Sequence, residues 1–203
     1  MSPAHVHEPT YAAIKRRLLH GVWPPGGRLE GARIADEIGV SMTPVRDSLN
    51  RLVGERLVEL KPGFGFHVPH LSVLDLRELL DFNLTLLRAA LRGSRRPICL
   101  VETEKQGVRA AVANEAASLF RSIARVLGNQ AVEDAVEAQN DRLHAIRCTE
   151  DQLMSDTASE LLHLEQLCLT GTRRELELAL RQYHLRRSRA APQLLALLEH
   201  TDR

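Results

Sequence analysis

The stretch GVSMTPVRDSLNRL, residues 39–52, decides the fold of the first part of the chain. Gly39 is suited to end one helix, and Thr43 with Pro44 is suited to begin the next. Proline is tolerated there because the first N–H groups of a helix have no partner within it. Apolar residues then recur at every third or fourth position, at Val45, Leu49 and Leu52. This spacing predicts a helix from about Thr43 to Glu55 with one buried face.

Two further short helices are predicted before this stretch. Residues 10–22 repeat apolar side chains at helical spacing, and Gly21 with the segment WPPGG at 23–27 ends the pattern. Residues 29–40, LEGARIADEIGV, predict a second helix that ends near Gly39. The apolar positions of the two helices are Tyr11, Ile14, Leu18, Val22, Leu29, Ile34, Ala35 and Ile38. Two short helices joined by a tight turn that contains glycine form a helix-turn-helix.

A β-hairpin is predicted directly after the third helix. Residues 57–61 and 66–69 are short and β-prone, and Pro62-Gly63-Phe64-Gly65 lies between them. A connection that contains glycine and proline between two such strands indicates a hairpin. Three helices followed by a hairpin are the order of a winged helix.

From Ser72 onward the pattern remains helical to the end of the sequence. Ser72 with Asp75 indicates the start of a helix, and Thr172 with Glu175 matches a capping box. Pro192 should kink or interrupt the last helix. The predicted helical tracts cover residues 72–93, 103–127, 130–147, 151–169 and the segment from 172. The expected fold is therefore mainly α: a winged helix-turn-helix domain over residues 1–70, followed by an all-α bundle over residues 71–203.

Composition excludes several classes of protein. Apolar residues make up 44%, charged residues 26% and aromatic residues 3% of the chain, and the formal net charge is +1. This balance indicates a globular protein and excludes a strongly basic chain of the histone kind. The three cysteines are odd in number and form no C-x-x-C pair, so we expect buried free thiols. Without a signal peptide or about 18 consecutive apolar residues, the sequence predicts a cytoplasmic protein with no membrane partner.

The helix that begins at residue 43 has the features of a DNA-reading helix. The second helix of a helix-turn-helix enters the major groove, and its N-terminal residues reach the base edges. Ser41, Thr43 and Arg46 would then face DNA, and Arg46 can offer two donors to a guanine or clamp a phosphate. The competing interpretation is a three-helix core unit in which Arg46 is an ordinary solvated side chain.

The run from GVWPPGGRL through IADEIGVSMTPVRDSLNRLVGERLVEL to PGFGFHVP resembles the winged-helix domain of GntR-type transcriptional regulators. The resemblance covers residues 10–70 and implies contacts to DNA. The implied set is Arg33, Ser41, Met42, Thr43, Pro44 and Arg46, with the wing residues Lys61, Gly63, Phe64, Gly65 and His67. The family pattern usually has an arginine where Met42 stands and a glutamate where Asp47 stands. A basic residue is common at the position of Phe64, whose ring could enter the groove or pack back on the module.

The helical part resembles the FadR-like branch of that family, whose FCD domain binds a small effector and often a divalent metal such as zinc or nickel. The resemblance implies a ligand set of Asn140, His144 and His184. Leu161 stands where a further histidine is usual, and His163 lies about 200° around the helix from it. Arg88, Arg121 and Arg147 are candidate partners for a carboxylate effector, and ordinary surface charge is the alternative for each. The alternative for the histidines is a hydrogen-bonded or solvated role.

These features predict a transcription regulator, a repressor in our interpretation, with a double-stranded DNA operator, a small-molecule effector and no enzymatic activity. We expect a homodimer on a palindromic operator, because one recognition helix reads too few base pairs. No GxSxG, HExxH, GxGxxG or P-loop motif is present. The alternatives are a winged-helix module that binds a partner protein and oligomerises through the bundle, and a metal-dependent helical enzyme fused to a DNA-binding module.

Overall fold

A computed structural model describes residues 4–100 and 108–200 of the chain. The chain divides at His70–Leu71 into two compact units. Helical and strand segments of the first unit follow the order expected of a winged helix. They are α1 (Ala4–Leu19), α2 (Gly31–Ile38), α3 (Met42–Gly54), β1 (Glu59–Lys61) and β2 (Gly65–His67). The predicted mainly α fold, with an N-terminal winged helix-turn-helix, is confirmed.

The core of the first unit is formed by the apolar faces of α1, α2 and α3. Ile14, Ile34 and Leu52 are at most 1% exposed. The prediction for Val22 was wrong, since α1 ends at Leu19 and Val22 is 55% exposed. Gly21 adopts the left-handed conformation, and the Val22 N–H donates to the carbonyl of Arg17. This C-terminal turn directs the chain away from the helix axis.

The wing contains a third extended segment that the periodicity did not predict. β1 and β2 pair antiparallel, with Leu60 opposite Phe66. On the other side of β2, the Leu29 N–H donates to the Phe66 carbonyl and the Val68 N–H donates to the Gly27 carbonyl. Leu29, which was assigned to the second helix, therefore lies before α2 and anchors the wing to the core.

The second unit is helical throughout its described residues. Its segments are α4 (Val73–Gly93), α5 (Val108–Arg125), α6 (Gln130–Arg147), a 3-10 turn (Glu150–Gln152), α7 (Thr157–Thr170), α8 (Arg173–Arg189) and α9 (Ala191–His200). The capping box predicted at Thr172 is present, and the helix start predicted at Ser72 also has one. The tract predicted from residue 151 is a 3-10 turn followed by α7, and residues 103–107 of another tract lie outside the described residues. As predicted, helical structure is interrupted before Pro192, and α9 begins at Ala191.

Two apolar clusters fill the interior of this unit. One contains Phe120 and joins α4, α5, α6, α7 and α8. The other joins the start of α4, the end of α6 and α9. Several polar side chains lie buried among them, and they form the candidate site described below. None of the helices described is both long enough and apolar enough to span a bilayer.

Candidate nucleic-acid interface and buried polar cluster

The turn between α2 and α3 exposes the leading end of α3. Gly39 has φ 75°, and its N–H donates to the carbonyl of Ala35, so the chain leaves α2 sharply. Ser41 is the N-cap residue of α3, and its hydroxyl makes no capping hydrogen bond. Ser41, Met42 and Thr43 are exposed. Free N–H groups and partial positive charge at a helix start suit an anionic partner.

Among the α3 residues that were expected to contact DNA, Pro44 differs from Ser41, Met42 and Thr43 because its ring is buried. The inward face of α3 consists of Pro44, Val45, Ser48, Leu49 and Leu52. The hydroxyl of Ser48 donates to the Pro44 carbonyl at 2.7 Å, which satisfies a buried polar group. The side chain of Pro44 is therefore part of the module's core, while Ser41, Met42 and Thr43 keep their exposed places.

Arg46 is exposed one turn into α3. Within residues 4–100 and 108–200, no carboxylate pairs with it. Arg33 on α2 differs, because its Nε donates to Glu37 at 2.8 Å, and Glu37 also accepts from Arg17 at 2.6 Å. Ion pairs this exposed contribute little to stability, so Arg33 can exchange Glu37 for another anion at small cost.

Met42 packs against the start of α2 while half of its side chain remains exposed. A Cβ placed on Gly31 would lie 3.1 Å from the Met42 Cε, and Met42 is 49% exposed. This Met42–Gly31 contact was not visible in the sequence pattern, because it joins two helices. The apolar residue at the leading edge of α3 therefore has a defined position.

The wing presents an apolar tip on a rigid turn. Phe64 is 71% exposed and does not pack back on the module. Gly63 and Gly65, on either side, have φ of 78° and 87°. The Nζ atom of Lys61 lies 2.8 Å from Oε1 of Glu59, and the Nδ1–H of His67 donates to the Gly65 carbonyl. The wing residues singled out in the sequence thus lie together on one hairpin.

In the second unit, Asn140 and Arg147 are both buried on α6. The Asn140 Nδ2 donates to the Ala117 carbonyl on α5, and its Oδ1 accepts from Nη1 of Arg147, each at 3.0 Å. Arg147 is 3% exposed, and its guanidinium carbon lies 5.0 Å from the centre of the Phe120 ring. Its Nη2 is buried without a hydrogen-bond partner among the described residues.

His184 on α8 is buried beside the same Phe120 ring. Its Nδ1–H donates to the Leu180 carbonyl at 2.7 Å, and the amide of Asn83 lies 2.9 Å from its Nε2. Burial lowers the pKa of His184 to about 3, so the ring is neutral. His144 is also buried, whereas His163 is exposed and Leu161 is buried, as their spacing predicted.

These contacts do not fit a divalent metal at Asn140, His144 and His184. The oxygen of Asn140 that would ligate a cation already accepts from a guanidinium. Both ring nitrogens of His184 are engaged, and Leu161 supplies no donor atom. Among the described residues, no group of three or more His, Cys, Asp or Glu side chains could hold a metal. A positively charged side chain, Arg147, lies against the would-be ligand instead.

The other two predicted arginines lie elsewhere on the second unit. Arg88 donates to Glu177 at 2.7 Å, and Arg121 donates to Glu137 at 2.8 Å. Both pairs are partly exposed. Unlike Arg147, these guanidinium groups already have carboxylate partners, and the structure does not bring the three arginines to one site.

Sequence reasoning missed the polar cluster around Arg187. This side chain is fully buried, stacks on Tyr183 with 3.3 Å between the guanidinium carbon and the ring centre, and pairs with Glu150 and Glu160. A signal was present in the spacing. Arg187 and Arg147 each lie seven residues after a buried residue of the same helix, Leu180 and Asn140, and therefore lie on an inward face.

The sequence and the fold are both similar to those of known bacterial regulatory proteins. The model of the bacterial regulatory proteins of the gntR family matches residues 7–68. The HTH-type transcriptional regulator McbR of Escherichia coli K12 is 35% identical over 80 residues, which span 38% of this chain and 36% of McbR. The structure of a transcriptional regulator GntR from Rhodococcus sp. RHA1 covers 94% of this chain and 97% of its own, with a TM-score of 0.72 and 16% identity.

The structure of E. coli McbR/YncC is similar over most of its length. It covers 93% of this chain and 97% of its own, with a TM-score of 0.65 and 16% identity. At such identity the two solved structures establish the fold, in both the winged-helix and the helical parts. Residues 7–68 therefore match the gntR family of bacterial regulatory proteins, and the fold is shared with these solved structures along nearly the whole sequence.

Proposed function

We propose that this protein is a transcription regulator rather than an enzyme, and that it binds double-stranded DNA through its winged-helix unit. The observation that carries the proposal is the leading end of α3. There the exposed Ser41, Thr43 and Arg46 stand at a helix start, and no carboxylate of the described residues neutralises Arg46. The family match over residues 7–68 supports the same function.

In this proposal the interface divides into contacts that read bases and contacts that position the protein. Arg46 donates to a guanine edge, and Ser41 and Thr43 contact bases or the phosphates beside them. Arg33 and Lys61 exchange Glu37 and Glu59 for phosphates. Exposed pairs of this kind contribute little to stability, so the exchange costs little. The backbone around Gly63 and Gly65, together with His67, lies along the adjacent groove.

The active species in this proposal is a homodimer on a palindromic operator. A single α3 reads only a few base pairs, and two-fold related copies read half-sites about one helical turn apart. Effector binding in the helical unit changes the fraction of dimers that can bind DNA, and a repressor would release its operator in this way.

We infer that the effector is a small anion, and that Arg147 is its anchor. A buried guanidinium with an unsatisfied Nη2 and no carboxylate partner in the described part of the chain is costly until an anion pairs with it. A carboxylate can accept two parallel N–H bonds from such a group. This is an FCD-type sensor in which a guanidinium, and not a metal, supplies the positive charge.

DNA selection from a random pool with the purified protein tests the DNA-binding proposal. We expect a palindromic consensus, a loss of about tenfold or more in affinity for Arg46→Ala, and little change in melting temperature. Arg46→Lys retains a phosphate contact but loses the bidentate base contact, so it should lose specificity more than affinity. If binding is insensitive to salt, or if no sequence is enriched, a protein-interaction module is the better interpretation.

The effector proposal is tested separately with Arg147→Met, which keeps an unbranched apolar stem and removes the charged guanidinium. Candidate monocarboxylate and dicarboxylate metabolites are screened by thermal shift and by their effect on operator binding. A hit should lose its effect in Arg147→Met and keep it in Arg88→Met, because Arg88 is already paired with Glu177. A hit that acts equally on both variants, or only with added Zn²⁺ or Ni²⁺, contradicts the assignment.

A further inference from the structure

The tip of the wing is a short, conformationally fixed loop with an aromatic ring at its end. Lys61 pairs with Gly65, and the Phe64 N–H donates to the Lys61 carbonyl at 3.0 Å. Pro62 and Gly63 occupy the two central positions of this turn, and Gly63 has φ 78°. Proline followed by a glycine of positive φ is the signature of a type II turn. The position of Phe64 is therefore set by the backbone.

In the protein without DNA, the hairpin carries no net formal charge. The ammonium of Lys61 is held 2.8 Å from the carboxylate of Glu59, so the two formal charges of the hairpin offset each other. The tip of the hairpin also exposes a large apolar side chain. At 71%, Phe64 is the most exposed of the large hydrophobic residues in the described part of the chain. A partner for this surface has to accept a flat apolar ring.

We propose that Phe64 is an apolar wedge that enters the minor groove and partly unstacks one base step. The proposal rests on the DNA-binding function above and adds the mode in which the wing reads its target. Aromatic and aliphatic side chains inserted in this way kink the duplex, and the cost depends on the step that is opened. Pyrimidine–purine steps such as TA and CA open most easily.

A sequence preference follows at a position where the protein makes no hydrogen bond to a base. Phe64 and the leading end of α3 belong to one compact unit, so the step opened by the ring lies at a fixed distance from the bases read by Arg46. The wing thereby contributes indirect readout, through the deformability of the DNA, next to the direct readout by α3.

The test uses the full-length protein and the site recovered by selection, labelled for end-to-end energy transfer and carrying 2-aminopurine at the flanking step. The wild type should bend the duplex and raise the 2-aminopurine fluorescence. It should also prefer a TA step over an AA step at that position by about tenfold. Phe64→Ala should lose the bend, the fluorescence rise and the preference while it still binds the site.

Two further variants separate a wedge from a general effect on the hairpin. Leu60→Ala removes another exposed apolar side chain of the same wing, 52% exposed on β1, and should leave the bend unchanged. Phe64→Leu keeps an apolar wedge and should retain most of the bend. Equal bending by the wild type and Phe64→Ala overturns the proposal, as does a loss of bend in Leu60→Ala of the same size. Failure of the wild type to bind any selected DNA is a different outcome, and it would overturn the DNA-binding function itself.

Discussion

Arg187 donates to Oε2 of Glu150 through both Nε and Nη2, at 2.9 and 2.7 Å, and only 1% of each side chain is exposed. Glu160 and the Tyr183 carbonyl accept from the third nitrogen, Nη1. The hydrogen-bonding capacity of this buried guanidinium is therefore largely used within the second unit. The group ties α8 to α7 and to the 3-10 turn after α6.

Arg187→Met should destabilise the second unit by about 3–5 kcal/mol, because it leaves the buried Glu150 carboxylate without its partner. Urea unfolding followed by circular dichroism measures the change. Removing both charges, in Arg187→Met with Glu150→Gln, should cost clearly less than the sum of the two single changes. Additive losses would mean that the pair is not coupled as its geometry indicates.

The stability of the protein should depend on His184 below about pH 6.5. Burial lowers the pKa of this group from 6.5 to about 3 in the folded chain. On acidification the unfolded chain therefore takes up a proton that the folded chain does not. This favours unfolding by about 1.4 kcal/mol for each pH unit between 6.5 and 3. In urea unfolding measured at a series of pH values, His184→Gln should lose less unfolding free energy per pH unit over that range than the wild type.

His163→Gln is the matched control, because His163 is exposed on α7. Its profile should follow that of the wild type. If His184→Gln and the wild type lose stability at the same rate between pH 6.5 and 3, the neutral buried imidazole is the wrong description of residue 184.

The three cysteines should differ widely in reactivity towards a thiol reagent. The expected burial of all three thiols was wrong, since Cys99 is exposed. Partial burial raises the pKa of Cys148 to about 11 and that of Cys168 to about 12. Only the thiolate reacts. One thiol per chain should therefore react rapidly at pH 8, and the other two, which are only partly exposed, much more slowly. Mass spectrometry identifies the cysteine that is labelled first. Labelling of Cys148 or Cys168 before Cys99 would contradict this order.

Gly31→Ala tests the contact between α2 and the leading edge of α3. The new methyl group would lie 3.1 Å from the Met42 Cε, so the flexible methionine has to shift by a few tenths of an ångström. We expect a change in unfolding free energy within about 0.5 kcal/mol, since Met42 is half exposed. DNA affinity should change more than stability, and Gly31→Ala in a Met42→Ala background should remove that difference. Large destabilisation would show that the contact is tighter than described.

The parts predicted from sequence are those fixed by local physical rules. Gly39 ends α2 in a left-handed turn, and Thr172 with Glu175 begins α8, because each effect acts within one turn of chain. The environment of a long polar side chain is different, since it depends on several helices. Arg147 was assigned as a carboxylate partner or a surface charge, and its burial between Asn140 and Phe120 follows only from the packing of α5 against α6. Its position on the inward stripe of α6 was the available signal.

The contact between Met42 and Gly31 makes the leading residue of α3 dependent on a residue of the preceding helix. A side chain at position 31 would displace the end of Met42, and a shorter side chain at position 42 would leave the space beside residue 31 empty. Changes of DNA preference in this chain and its descendants should therefore arise as paired substitutions at positions 31 and 42. An exchange at position 42 alone would remove the side chain that now lies against Gly31.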